Sequence, residues 1–148
     1  MSLDDLDGVY DPDNIFAKIV RGDMPCAKVF EDHDTMAFMD VFPQGRGHTL
    51  VIHKRAHARN LLDVAPEALQ SVMLTTQRIA RAVRVALKPD GVFVAQFNGA
   101  AAGQTIYHLH VHVIPRWAGV PLGRHAGGAM ADMGELGGLA EAIAAEIS

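Results

Sequence analysis

The six residues HLHVHV, at positions 108–113, alternate strictly between histidine and an apolar side chain. Successive side chains of a β-strand point to opposite faces, so a period of two predicts a strand rather than a helix. The leucine and the valines then face a core, and His108, His110 and His112 line one surface or cleft together. This pattern fixes both a sheet and the place to look for a functional site.

Three interpretations of the histidine face follow from chemistry alone. The rings are satisfied polar residues on a half-exposed strand, or ligands of a metal, or groups that act on a substrate. A metal shared by all three is difficult, because the Cα atoms of His108 and His112 are about 13 Å apart in a strand and leave His110 crowded. Neither a carboxylate nor a cysteine is nearby in sequence to complete a zinc ligand set.

Nucleophilic catalysis on phosphorus explains why three imidazoles occur together. A neutral imidazole is a good nucleophile near neutral pH, and the N–P bond that it forms is labile enough for water to cleave. The two neighbouring rings supply hydrogen bonds to the phosphate oxygens and an acid for the departing group. The preceding loop, GAAAGQT, adds backbone N–H groups around Gly103 and the side-chain donors Gln104 and Thr105.

Length and charge narrow the class of protein. A chain of 148 residues holds one domain with a core. The net charge of −4, with scattered Lys and Arg, disfavours a nucleic-acid partner. Cys26 is the only cysteine, which excludes an internal disulfide and a Cys-x-x-Cys zinc site and fits a reducing cytoplasm. No apolar run approaches the roughly 20 residues that cross a bilayer, so we expect no membrane partner.

Periodicity and turn residues predict an α+β domain with an antiparallel sheet of about five strands, one long helix, one or two short helices and a C-terminal helix. From the N-terminus, the predicted elements are a short helix capped by Asp13 or Asn14 and stopped by Gly22, two strands in AKVFEDHDTMAFMDV, a strand in GHTLVIH, a helix over Pro66–Leu87, a strand over 92–98, the histidine strand ended by Pro115, and a terminal helix in ELGGLAEAIAAEIS.

The chain divides into three parts. Residues 1–12 are acidic, lack the apolar segment of a secretory signal and are expected to form a flexible leader. Residues 13–117 form the domain. Residues 118–148 form a C-terminal extension that begins glycine-rich and irregular and ends in the terminal helix.

With these motifs, the sequence resembles the histidine triad family of nucleotidyl hydrolases and transferases, whose signature is His-x-His-x-His followed by apolar positions. The likeness extends from about Asn14 to Trp117 and includes IFAKIVRGDMPCAKVFED, AFMDVFPQGRGHTLVI and GQTIYHLHVHVIPR. Within the family it looks closest to the branch of the purine nucleoside phosphoramidases, the protein kinase C inhibitor-like branch. Other segments also resemble the dinucleoside polyphosphate hydrolases.

The resemblance implies a role for four histidines. His110 matches the nucleophile that forms a covalent nucleotidyl-histidine, oriented by a hydrogen bond to a backbone carbonyl. His112 matches the histidine that contacts the phosphate and helps the leaving group depart. His108 and His48 match the pair that hydrogen-bonds beneath the site.

The resemblance also implies the nucleotide contacts. Asp40 matches the carboxylate that accepts from the ribose hydroxyls. The positions matching the α-phosphate site are Asn98, Gly103, Gln104 and Thr105, and those matching the apolar slot for the base are Phe16, Ile19, Phe38 and Val41. Thr105 stands where the phosphoramidase branch often has serine. His33, His57 and His125 match no functional position and are expected to be exposed.

The function implied is hydrolysis at the α-phosphorus of AMP or GMP conjugates, with no required cofactor and no metal held by the protein. Polyphosphate substrates can bring Mg²⁺ with them. The family also implies a homodimer whose sheet continues across the two-fold axis. Two functions of other classes remain open, a nucleotide-binding interaction protein and a histidine-based metal-binding module.

Overall fold

One antiparallel sheet of five strands organises the computed structural model, which describes residues 6–125 and 128–148. The strands are β1 Lys28–Glu31, β2 Thr35–Met39, β3 Thr49–His53, β4 Gly91–Ala95 and β5 His110–Arg116, in the order β1-β2-β3-β5-β4. The helices are α1 Ile15–Arg21, α2 Pro66–Leu87 and α3 Met133–Ala144, with a short 3₁₀ turn at Ala100–Ala102. The predicted α+β fold, with its long helix and C-terminal helix, is confirmed.

Helix α1 ends where its sequence predicts. Of the two candidate caps, Asn14 is the one used, and its Oδ1 accepts a hydrogen bond from the Ala17 N–H at 2.9 Å. Gly22 ends the helix in the left-handed conformation, with φ of +83°, which glycine adopts at no steric cost. Both signals depend on neighbouring residues, so the sequence alone predicts both ends of α1.

Helices α2 and α3 cover one face of the sheet. Val51 of β3 and Val111 of β5 pack there against Ile79 of α2 and Ile143 of α3, and all four are buried. Val111 and Val113 of the histidine motif therefore lie in the main core, as the alternation predicts, whereas His108 and Leu109 precede β5, which corrects the expectation that all three histidines share one strand.

The opposite face carries the histidines beside a smaller apolar cluster. In the strand register Leu50 lies opposite His112 and Ile52 lies opposite His110, and opposed residues share a face. Phe16 of α1 packs on this face against Phe38 of β2, with ring centroids 5.3 Å apart. Helix α1 therefore closes over the histidine side of the sheet.

Strand β5 does not end at Pro115, which corrects the sequence expectation. It continues to Arg116, and Pro115 pairs with Val92 of β4. Strand β3 begins at Thr49 opposite Val113, so no β3 residue lies opposite Pro115 and its missing N–H costs no ladder hydrogen bond. Strand β4 is shorter than the predicted 92–98 and leaves the sheet after Ala95.

Residues 1–5 of the predicted leader are outside the described residues, whereas residues 6–12 are described. Within the described ranges, no helix has both the length and the apolar character to cross a membrane.

Candidate active site

A cavity of about 370 Å³ lies on the histidine side of the sheet, under α1. It brings together eight of the residues expected at the site: His110, His112, Asp40, Thr105, Phe16, Ile19, Phe38 and Val41. Its wall also includes residues with no expected role, among them Met24, Cys26, His125, Met130 and Met133. The predicted base slot and the predicted reactive histidines therefore face one space.

His110 has a lone pair ready for attack. Its Nδ1 lies 2.7 Å from the carbonyl oxygen of His108, which can only accept, so Nδ1 carries the proton and Nε2 does not. The edge of the Phe16 ring packs against the imidazole at a centroid distance of 5.0 Å. Burial lowers the pKa of His110 to about 4, which keeps the ring neutral at pH 7. A neutral, fixed imidazole is what nucleophilic attack requires.

His112 is held in the opposite tautomer, with its proton on Nε2. The backbone N–H of Gln44 donates to Nδ1 of His48 at 3.0 Å, so a neutral His48 carries its proton on Nε2. The Nε2–H of His48 donates to Nδ1 of His112 at 2.9 Å, which places the proton of His112 on Nε2. The His112 Nε2 is buried and has no hydrogen-bond partner among the described residues. A buried, unpartnered donor at the cavity marks a place where a ligand acceptor belongs.

Burial keeps this relay neutral. Burial first, and then the neighbouring histidines, lower the pKa of His48 to about 3 and that of His112 to about 2. Both rings are therefore uncharged near pH 7, and the tautomers set by the Gln44 amide persist.

His108 lies behind the cavity and differs from expectation in its partners. Its Nε2–H donates to the carbonyl oxygen of His53 at 2.9 Å, and its Nδ1 accepts from the hydroxyl of Tyr10 at 2.8 Å. His48 bonds to His112 rather than to His108. Tyr10, in the segment expected to be a leader, stacks on His57 with ring centroids 4.9 Å apart. No motif in the sequence pointed to Tyr10.

Asp40 borders the cavity with its carboxylate partly engaged. Oδ1 accepts from the Phe42 N–H at 2.8 Å, and Oδ2 lies 3.4 Å from Nε2 of His48. Burial raises the pKa of Asp40 to about 6, against the opposing effects of the Phe42 amide and the nearby His125. Asp40, His48 and His112 offer ligand atoms within 4.8 Å of one another, the one such cluster among the described residues. The hydrogen bond between the two histidines already uses one nitrogen of each.

The glycine loop is held by its own hydrogen bonds. The N–H groups of Gly103 and Gln104 donate to the carbonyls of Ala100 and Gly99. The side-chain amide of Gln104 is buried and used at both ends, accepting from the Gly99 N–H at 2.9 Å and donating to the Arg59 carbonyl at 2.7 Å. The structure therefore places Gln104 inside the loop and Thr105 on the cavity wall.

Asn98 and Gly103 are not part of the cavity wall. Asn98 Oδ1 accepts from the Leu61 N–H and from the Gln96 amide, both at 2.9 Å, so its Nδ2 is the atom left to meet a ligand. Gly103 has φ of +103°, and its carbonyl points to a partner from the C-terminal extension.

That partner is His125, which the sequence analysis expected to be exposed. It is half-buried and lines the cavity. Its Nε2–H donates to the Gly103 carbonyl at 2.8 Å, and its ring lies 5.5 Å from that of His112 and 5.2 Å from that of Phe97. His125 lies in a glycine-rich segment without periodicity, so no local pattern could assign it to the site.

Comparison with known proteins agrees with this geometry. A model of the HIT domain matches residues 21–119. The crystal structure of a Hit-like protein from Bartonella henselae superposes with a TM-score of 0.86 at 46% identity, over 93% of this chain and 99% of that one. An adenosine 5′-monophosphoramidase from Schizosaccharomyces pombe is 36% identical over 69% of this chain and 73% of its own. An Arabidopsis thaliana adenylylsulfatase is 37% identical over 77% of this chain and 60% of its own.

Proposed function

The chain belongs to the histidine triad (HIT) family of hydrolases, and from that premise we propose that it cleaves nucleoside 5′-phosphoramidates and related adenylyl or guanylyl conjugates at the α-phosphorus. The reaction passes through a covalent nucleotidyl-His110 and releases the nucleoside monophosphate. The names of two relatives, an adenosine 5′-monophosphoramidase and an adenylylsulfatase, both describe action on an adenylyl conjugate and differ in the group attached to it.

One observation supports the proposal above all: His110 and His112 face the same cavity in opposite tautomers. His110 offers a lone pair on Nε2, and His112 offers an unpartnered Nε2–H, with ring centroids 4.9 Å apart. A phosphoryl group between them meets a nucleophile on phosphorus and a donor on oxygen. Backbone groups fix both tautomers, so the arrangement exists before substrate binds.

In the first step Nε2 of His110 attacks the α-phosphorus, and the bond to the leaving group breaks. The departing nitrogen takes the electron pair of that bond and the proton from Nε2 of His112, so it leaves as a neutral amine. In the second step water attacks the same phosphorus and returns a proton to Nε2 of His112, the N–P bond breaks, and its electron pair returns to His110. The products are the nucleoside monophosphate and the free enzyme.

The rest of the cavity suits the nucleoside. Phe16, Ile19, Phe38 and Val41 provide an apolar slot for the base, and Asp40 at its border accepts from the ribose hydroxyls. Thr105 offers a hydroxyl beside the phosphate. We propose purine conjugates of AMP or GMP as substrates.

Mass spectrometry of the enzyme quenched in base, where the N–P bond survives, tests the proposal directly. With adenosine 5′-phosphoramidate, we expect a nucleotidyl adduct on the peptide that contains His110, and AMP as the product. His110→Ala abolishes the adduct, while His33→Ala, which alters an exposed histidine, leaves it unchanged. A panel that includes a dinucleoside polyphosphate separates the two branches of the family.

Two other outcomes have distinct results in the same experiments. An interaction protein that only binds nucleotide retains AMP without forming any adduct. A metal-binding module purifies with stoichiometric zinc on Asp40, His48 and His112, which elemental analysis detects. We propose that no metal is required, apart from Mg²⁺ carried by a polyphosphate, so a chelator leaves phosphoramidate turnover unchanged.

We also propose a homodimer that joins two sheets along β4. This edge strand exposes Phe93 and Val94, at 43% and 46% of their surface, while the other edge, β1, carries the ion pair of Lys28 and Glu31. Exposed apolar edges favour pairing, and charged edges oppose it. Sedimentation velocity should show a dimer that Val94→Asp converts to a monomer.

We place the protein in the cytoplasm, where nucleotide conjugates are available.

A further inference from the structure

We propose that Tyr10, from the N-terminal segment, is a positioning residue for the nucleophile: its hydroxyl holds the ring of His108, and His108 supplies the backbone carbonyl that orients His110. The inference rests on the proposed function, because the step that it affects is the attack of His110 on the α-phosphorus. Tyr10 is not part of the cavity wall, so it acts through His108 and not on the substrate.

The orientation of His110 depends on the peptide unit that joins His108 to Leu109. The carbonyl of this unit accepts from Nδ1 of His110 at 2.7 Å, which fixes the tautomer and restrains the ring of the nucleophile. Strand β5 begins at His110, so the unit lies before the first paired residue of the strand. Its N–H donates to the carbonyl of Ala58, a loop residue, at 2.9 Å. One loop contact restrains the tilt of a peptide unit less than a strand ladder does.

The side chain of His108 supplies a second restraint on the same unit. Its Nε2 lies 2.9 Å from the carbonyl oxygen of His53, which can only accept, so Nε2 carries the proton and Nδ1 has the lone pair. The Tyr10 hydroxyl donates to that lone pair at 2.8 Å. The imidazole is therefore held at both nitrogens, between the end of β3 and the N-terminal segment. A ring held in this way limits movement of the main chain from which the carbonyl projects.

Tyr10 is itself fixed in place. Its ring stacks on His57, with centroids 4.9 Å apart and the ring planes within 9° of parallel. Two residues further along the segment, the Pro12 carbonyl accepts from the Arg21 guanidinium at 2.6 Å. Burial raises the pKa of Tyr10 above its ordinary value, so the hydroxyl keeps its proton and remains a donor near pH 7. The N-terminal segment therefore presents a fixed donor to His108.

Loss of the hydroxyl should affect the rate of attack more than the binding of nucleotide. Without it, only the His53 carbonyl holds the His108 ring, and Nε2 of His110 is aimed less steadily at phosphorus. A misplacement of about 1 Å can cost about 100-fold in rate, so partial loss of restraint should cost about tenfold. Affinity for AMP should be unchanged, because Tyr10 lies outside the cavity wall.

Rapid-quench measurement on the full chain tests the inference. The probe is adenosine 5′-phosphoramidate, the quench is base, and the rate measured is formation of the adduct on His110 in a single turnover. Tyr10→Phe keeps the ring that stacks on His57 and removes only the hydroxyl. Thr75→Val is the matched control, because it removes a buried hydroxyl that bonds to Thr35 at 2.7 Å, on the helix that covers the opposite face of the sheet. Calorimetric titration gives the affinity of each variant for AMP.

A double-mutant cycle tests the route through His108. His108→Leu is close in volume but removes both ring nitrogens, so the Tyr10 hydroxyl has no acceptor there. If Tyr10 acts through His108, Tyr10→Phe has no further effect in the His108→Leu background, whereas independent effects multiply. Each variant is assayed where urea denaturation shows it to be fully folded. If His108→Leu does not fold, the comparison of Tyr10→Phe with Thr75→Val decides alone.

We expect Tyr10→Phe to slow adduct formation about tenfold and to leave AMP affinity within about twofold of the wild type, with Thr75→Val within about twofold in both. A wild-type rate of formation in Tyr10→Phe overturns the inference and leaves the proposed function intact. The same follows from an equal slowing in Thr75→Val, from a matching loss of AMP affinity, or from a full effect of Tyr10→Phe beside His108→Leu. Absence of any adduct in the wild type overturns the proposed function itself, and this inference with it.

Discussion

Replacing His48 by leucine tests whether the Gln44 amide sets the donor on His112. Leucine is close to histidine in volume and suits a buried position, but it removes both nitrogens of the relay. The buried Gln44 N–H and the Nδ1 of His112 then lose their partners. His112 remains in the cavity, but its proton is free to move to Nδ1.

Two separate magnitudes follow. Each unsatisfied buried group costs about 1–3 kcal/mol, so the free energy of unfolding should fall by about 2–6 kcal/mol. Loss of one preorganised donor at a phosphoryl oxygen should lower kcat by about 100- to 1,000-fold. KM should change much less, because the base slot and Asp40 are intact.

The matched control is His53→Leu. His53 is also buried in β3, and its Nδ1 accepts from the backbone N–H groups of Arg55 and Ala56 at 3.0 and 2.9 Å. Its replacement costs stability in the same way without touching the cavity. Urea denaturation gives the stability of each variant, and kcat is measured where both are fully folded. A His48→Leu enzyme that keeps kcat within about threefold of His53→Leu would refute the reasoning.

Three further predictions concern the nucleophile, the N-terminal segment and pH. His110→Ala should abolish turnover. Because the ring is buried against Phe16, the substitution should also lower the melting temperature measurably in a thermal scan. An unchanged melting temperature would contradict the packing described. Tyr10→Phe should lower the free energy of unfolding by about 1 kcal/mol in urea, since Nδ1 of His108 loses its donor, and an unchanged midpoint would show that the bond contributes nothing. The four buried histidines of the site have pKa values of about 2 to 4, below the ordinary 6.5. As the pH falls below about 6.5, the unfolded chain therefore binds more protons than the folded one. The free energy of unfolding should decrease from there toward pH 4. Asp40, with its pKa raised to about 6, opposes this trend between about pH 4 and 6, so Asp40→Asn should make the pH dependence of urea unfolding steeper, and a shallower dependence would contradict the assignment.

Local signals predicted the fold well. The cap of α1, the extent of α2 and the alternation of β5 each depend on residues within a few positions of one another, where propensity and periodicity act. The error at Pro115 arose from a non-local fact, because a proline is tolerated in a strand when no neighbour needs its N–H.

The site was predictable only in part. The reactive histidines and the apolar slot follow from the motif and from the family resemblance. The partners of His108, the contact of Tyr10 and the entry of His125 join residues far apart in the chain, and no short-range pattern records them. Gln104 shows the reverse case, since a side chain that looks like a phosphate donor in the sequence uses its amide on the Gly99 N–H and the Arg59 carbonyl instead.

The dependence of His112 on a main-chain amide has a consequence for how this protein can vary. Every amino acid except proline supplies an N–H at position 44, so the hydrogen bond that sets the tautomers of His48 and His112 comes from the main chain and not from a side chain. In a saturation library, proline at position 44 should therefore remove the donor outright, whereas other substitutions should act through the buried space of the side chain and its hydrogen bond to the Gly123 carbonyl. The contribution of this main-chain N–H cannot be seen in the identity of the side chain at position 44.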